Sequence, residues 1–109
     1  MADAVAPKTR TLNLGSVEKV PKGQGFCFIV DGREIAVFRQ RDGKLFATQN
    51  RCPHKNGPLS EGIVGDGKVI CPLHSRKFDL CSGVNAEGDR VKVYAVREEG
   101  GGIIVEHKT

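Results

Sequence analysis

The 109-residue chain has no tryptophan, one tyrosine and one methionine, and aromatic residues make up 6% of it. No apolar run approaches the ~18 residues that a membrane helix needs, and the N-terminal MADAVAPKTR lacks the apolar core of a secretory signal. A cytoplasmic protein is expected, with residues 1–9 as a flexible tail. Charge of one sign never accumulates. The net +4 comes mostly from Met1 to Asn50, which carries eight Lys/Arg against five Asp/Glu. There is no basic run and no interleaving of basic with aromatic residues, so neither nucleic acid nor membrane is an expected partner. The mild bias fits a solvated surface or a basic rim for an acidic partner protein. Helical periodicity is missing too: Ser16 to Val20, stopped by Pro21, offers one turn at most. Gly23-Gln-Gly25 is too short for a nucleotide fingerprint and opens a strand pattern, so it reads as a turn.

Turn signals, by contrast, are dense: Asp31-Gly32, Asp42-Gly43, Asp66-Gly67, Glu87-Gly88 and Gly100 to Gly102. Asp-Gly between apolar runs favours tight hairpins, whose central residues need positive φ. The intervening segments Gly25–Val30, Glu34–Phe38, Lys44–Thr48, Val69-Ile70, Val91–Val96 and Ile103–Val105 are short and rich in β-branched or aromatic residues. They read as strands of an all-β, antiparallel sandwich or barrel. One domain is expected over residues 10–109, a size that buries about two-thirds of the surface of the unfolded chain.

One element interrupts this pattern and is written twice. Cys52-Pro-His54 and, sixteen residues later, Cys71-Pro-Leu-His74 hold two of the four cysteines and two of the three histidines. Proline, glycine and polar residues over Asn50–Gly57 and Pro72–Lys77 predict two loops raised on a hairpin that turns at Asp66-Gly67. A Cys52–Cys71 disulfide leaves both histidines unexplained and sits badly in a reducing compartment. A cysteine nucleophile with a neighbouring base needs one pair, not two. Tetrahedral zinc takes two cysteines and two histidines, but the one-residue gap between Cys52 and His54 is short for closing on one ion. Two metals remove the difficulty. In extended chain, residues i and i+2 lie about 7 Å apart on one side, so neighbouring ligands can reach different ions. A two-iron, two-sulfide cluster clasped by both loops satisfies the doubling, and this is the Rieske arrangement.

The chain resembles the Rieske [2Fe-2S] family from about Arg10 onward, on the pattern CPH, sixteen residues, CPLH. Within it, AVFRQRDGKLFATQNRCPHKNGPLSEGIV and VICPLHSRKFDL look most like the small subunit of assimilatory NAD(P)H nitrite reductases. Ferredoxin components of aromatic-ring dioxygenases are the alternative. The resemblance implies one [2Fe-2S] cluster in a subdomain of about residues 50–83, with Cys52 and Cys71 on a buried iron and His54 and His74 on a solvent-facing one. It implies a one-electron carrier serving a larger redox protein, a reductase or oxygenase subunit, with no catalysis by this chain alone. An interaction module stabilised by zinc or by the cluster, without electron traffic, is a further alternative.

Departures from the family pattern are informative. The loop cysteines that form a disulfide in respiratory Rieske proteins are Gly57 and Leu73 here, and the serine and tyrosine that donate hydroxyls to cluster and ligand sulfur are Arg76 and Phe78. Histidine ligation leaves the cluster less negative than four thiolates do, which raises Rieske potentials to roughly −150 to +300 mV; without the two hydroxyls the low end is expected. Val84–Gly88 matches the usual covering loop poorly. Cys27, between two phenylalanines, reads as a buried apolar residue. Cys81 falls outside a ligand set already complete, and His107 reads as solvated tail. Pro53, Pro58 and Pro72 stiffen the loops. Lys55, Arg76 and Lys77, flanking the histidines, are the candidate docking cations.

Overall fold

A computed structural model describes residues 9–30, 32–52, 57–71, 77–86 and 88–108. Its strands are β1 (Thr9–Ser16), β2 (Gln24–Val30), β3 (Arg33–Arg39), β4 (Leu45–Gln49), β5 (Ile63–Gly65), β6 (Lys68–Ile70), β7 (Lys77–Asp79), β8 (Val93–Glu99) and β9 (Gly102–Lys108). All pairings are antiparallel, in a six-stranded sheet of order β1-β9-β8-β4-β3-β2 and a three-stranded sheet β5-β6-β7. Among the described residues there is no α-helix, and no helix is long and apolar enough to cross a membrane.

Strand alternation distributes the side chains between two cores. In β3, Ile35 and Val37 point to one side and Ala36 and Phe38 to the other, and all four are buried. Ile35, Val37 and Ala47 join Val17, Val20, Tyr94, Ile103 and Val105, with Leu12 and Leu14 of β1 and Phe28 and Val30 of β2 against them. Both edge strands of the large sheet thus feed one core, so the sheet curls around it. The second core takes Ala36, Phe38 and Phe46 from the back of that sheet. It adds Leu59, Val64, Val69, Phe78, Leu80, Val91 and both loop cysteines, Cys52 and Cys71. A strand buried on both faces therefore joins the barrel-like body to the smaller sheet.

The expected hairpins at Asp66-Gly67 and Gly100-Gly101 form: φ is 52° and 72° at the first pair and 57° and 80° at the second, which suits two-residue turns. Ser16 to Val20 gives one 3-10 turn, Val17–Lys19, capped by Ser16 Oγ accepting from the Glu18 amide at 3.1 Å. Several boundaries differ from the sequence reading. β1 opens at Thr9, the last residue assigned to the tail, and Lys77 opens β7 instead of closing a loop. β8 starts at Val93 because the Val91 amide turns aside to the Gly83 carbonyl at 2.7 Å. His107 has its backbone in β9, paired with Arg10, where a tail was expected. β1, β7 and a 3-10 turn at Leu59–Glu61 were not anticipated.

Candidate metal centre

Each half of the doubled motif is a loop closed at its neck by a β pair. Arg51 bridges Pro58 around residues 52–57, and Ile70 pairs with Lys77 around residues 71–76. The two loops are equal in length, and each opens on its cysteine. In the first, the Cys52 amide donates to the Gly57 carbonyl at 2.9 Å and the Leu59 amide donates to the Asn50 carbonyl at 2.7 Å, so the loop is pinned at both ends. Antiparallel pairing of β6 with β5 and β7 fixes the second.

Three further residues hold the first loop against β3. Buried Asn50 accepts from the Ser60 amide through Oδ1 at 3.0 Å and donates through Nδ2 to Glu34 Oε1 at 2.9 Å. Arg51 grips the same carboxylate with two nitrogens, Nε at 2.9 Å and a terminal nitrogen at 3.2 Å. The Asn50 hydrogen bond, followed by those from Arg51, holds the Glu34 carboxyl below the usual range, and Glu34 in turn raises Arg51. Gln49 adds a fourth tie, donating to the Arg51 carbonyl at 2.7 Å and accepting from the Lys92 amide at 2.7 Å. The sequence singled out none of these. Glu34 lies on another strand, and a lone acidic residue in a strand pattern carries no signal of its cross-strand partners.

Cys52 and Cys71 are each 1% exposed, and they share the apolar cluster of Phe38, Phe46, Leu59, Val69 and Phe78. No disulfide joins the four cysteines. Phe78, at the position of the family's tyrosine, is fully buried in this cluster. His54 and His74 lie outside the described residues, as do Lys55, Arg76, Leu73, Pro53 and Pro72.

The remaining cysteines stand apart from that cluster. Cys27 is half-buried on β2, with its Sγ 3.9 Å from the Phe28 carbonyl, and burial and then Glu34 push its thiol up. Cys81 is exposed in a turn where Asp79 Oδ1 accepts the amides of Cys81 at 2.8 Å and Ser82 at 3.0 Å. Those amides keep the Asp79 carboxyl below its ordinary range. In the stretch Val84–Gly88, Asn85 is buried and its side chain spans to Asp89, accepting from the Asp89 amide at 2.7 Å.

The donor chemistry present fits an iron–sulfur group. Two buried thiols, shielded from water and held at the necks of matched loops, suit metal ligands rather than an exposed nucleophile. Comparison with known proteins agrees. Residues 12–106 match the family described as the Rieske-like [2Fe-2S] domain. The biphenyl dioxygenase ferredoxin subunit of Pseudomonas sp. (strain KKS102) is 38% identical over 95 residues, covering 84% of this chain and 86% of that protein. A candidate NADH-dependent nitrite reductase small subunit from Mycobacterium tuberculosis superposes with a TM-score of 0.83 at 28% identity, covering 92% of this chain and 96% of that one. The ferredoxin of carbazole 1,9a-dioxygenase from Nocardioides aromaticivorans IC177 gives 0.77 at 28% identity, covering 87% and 95%. With one cysteine loop after β4, the other between β6 and β7, and both cysteines buried in one core, the chain belongs to the Rieske-like [2Fe-2S] domain family, and the cofactor this implies is one [2Fe-2S] cluster of Rieske type.

Proposed function

We propose that this chain carries single electrons as the small subunit of an NAD(P)H nitrite reductase in the cytoplasm, holding its cluster with Cys52, Cys71, His54 and His74. The observation that carries this reading is the matched pair of loops, closed by Arg51–Pro58 and Ile70–Lys77, each opening on a buried cysteine and running on into its histidine in sequence. A bound [2Fe-2S] cluster accepts and returns one electron. The residues of this chain set the conditions: Cys52 and Cys71 supply the inner thiolates, and Phe38, Phe46, Leu59 and Phe78 keep water from them. Glu34 and Asn50 hold the first loop in place. Residues 10–109 act as one domain, with about 50–83 as its cluster-binding part. Substrate chemistry belongs to a larger partner, to which this chain delivers electrons.

The nitrite reductase assignment is supported by the similarity over VICPLHSRKFDL and by the extent of the Mycobacterium superposition. A dioxygenase ferredoxin is the second reading, favoured by the identity to the biphenyl dioxygenase subunit. Anaerobic stopped-flow mixing separates them: the reduced protein is mixed with a sirohaem nitrite reductase large subunit and, separately, with a ring-hydroxylating oxygenase. Fast oxidation by the first and not by the second is expected. The reverse selects the ferredoxin reading, and oxidation by neither overturns both.

A further inference from the structure

The outer face of the small sheet has features that holding a cluster does not require. Val64 and Val69 point into the core, which leaves Ile63, Lys68 and Ile70 on the opposite face. In register, Ile63 sits across from Ile70, and Ile70 across from Lys77. Ile63 is 70% exposed. A single exposed isoleucine needs no explanation, but this one lines, with Ile70, Gly65, Lys68, Lys77 and Asp66, a concavity of about 410 Å³. Asp79, opposite Lys68, commits a carboxylate oxygen to the amides of its own turn, while the cross-strand neighbour of Lys77 is the apolar Ile70.

We propose that this concave face docks the redox partner, which packs an apolar side chain over Ile63 and Ile70 and surrounds it with carboxylates that meet Lys68 and Lys77. The proposal rests on the electron-carrier reading above. Charge complementarity selects the occupant: the cavity is lined by two cations and one carboxylate, and although Asp79 stands opposite Lys68, the cross-strand neighbour of Lys77 is apolar, in a chain of net charge +4. Position selects the role. Ile70 is bonded directly to Cys71, and Lys77 closes the neck of the second loop, so a partner seated here lies against that loop. An apolar anchor within a charged rim is the usual anatomy of a specific interface.

The test uses the holoprotein and the sirohaem nitrite reductase large subunit. Ile63→Glu and Lys68→Glu are compared with Lys22→Glu, a charge reversal in the turn before β2, with reduction potential and electron paramagnetic resonance spectrum as controls on the cluster. At low salt, Ile63→Glu is expected to lower the second-order electron-transfer rate by about tenfold, with the spectrum and potential unchanged. Lys68→Glu should do the same and flatten the salt dependence, while Lys22→Glu should change the rate by less than about twofold. Wild-type rates in Ile63→Glu overturn the docking face while leaving the electron-carrier reading intact. A wild-type protein that passes electrons neither to the reductase nor to a ring-hydroxylating oxygenase overturns that reading, and this docking face with it.

Discussion

Glu34 on β3 and Arg51 at the neck of the first loop form a two-point ion pair, 2.9 and 3.2 Å between their atoms, and Asn50 shares the same carboxylate. The neighbour of Cys52 is thereby tied to a strand whose own side chains, Ala36 and Phe38, pack into the cluster-binding core. Removing the carboxylate should loosen the loop before it harms the fold. In Glu34→Ala, loss of iron to a chelator is expected to be on the order of tenfold faster than in wild type, as for other outer-shell partners of metal sites, with the far-ultraviolet circular dichroism retained. Unchanged iron loss would show that the pair is decorative.

The same carboxyl sets a pH dependence. Hydrogen bonds from Asn50 and then Arg51 lower its folded-state pKa, so its contribution is complete above the unfolded value of about 4.3 and disappears as pH falls through the lower folded value. Glu34→Gln should therefore be less stable than wild type at pH 7 and lose less on acidification below about pH 4. Asp42 and Asp79, also lowered by hydrogen bonds, leave a residual acid transition in both proteins. Parallel acid titrations of the two proteins, followed by circular dichroism, would contradict this account.

Cysteine chemistry divides by burial. Protein purified without air is expected to contain about two irons and two acid-labile sulfides per chain. Cys52→Ala or Cys71→Ala should abolish both and weaken the fold, since metal binding and folding are coupled. Cys27→Ser and Cys81→Ser, at the half-buried and exposed positions, should keep the visible spectrum. Stoichiometric zinc without sulfide would favour the interaction-module alternative, and colour lost in Cys81→Ser would move the ligand set.

How far the sequence was legible follows the range of the interactions. Asp66-Gly67 announced its hairpin, since its requirement for positive φ is local, and the β-branched and aromatic residues of Glu34–Phe38 announced a strand. The cysteine–histidine spacing announced the metal because ligand geometry constrains residues only two or three apart. What stayed hidden is held from a distance. β7 is three residues long, too short for a period, and exists because β6 lies beside it. Gln40 reaches the Gly67 amide from the end of β3, and Glu34 reaches Asn50 and Arg51 across sixteen or more positions. No local pattern records such partners.

Gly62, just before β5, and Gly65, at its end, should respond oppositely to the same methyl group. A Cβ at Gly62 would lie 2.2 Å from the Ile70 carbonyl oxygen, immediately before Cys71, whereas a Cβ at Gly65 meets nothing within 4 Å and its φ is not positive. Gly62→Ala should destabilise by about 1–3 kcal/mol through overpacking. Gly65→Ala should stabilise by about 0.5–1 kcal/mol, because alanine has less freedom to lose on folding. Denaturant titrations of the holoproteins measure both, and equal effects would mean that β5 and β6 are not packed as described.

Phe78 tests how the cluster is tuned. It is fully buried, pairs with Val69 across β6–β7, and shares a core with Cys52 and Cys71. It occupies the position where the Rieske pattern has a tyrosine hydroxyl directed at a ligand sulfur, so wild-type protein should have a potential near the low end of the Rieske range, roughly −150 mV. Phe78→Tyr adds that donor. A hydrogen bond to sulfur stabilises the reduced, more negative state, and about 1 kcal/mol of such preference corresponds to roughly 40 mV for one electron. The potential should rise by about that amount. A hydroxyl that found no acceptor in this apolar core would instead cost about 1–3 kcal/mol of stability and leave the potential where it was. Voltammetry and thermal unfolding of the same sample therefore decide between the two: a raised potential with stability held places the new hydroxyl on sulfur, and an unchanged potential with a lower Tm shows that the ring is not directed at the cluster.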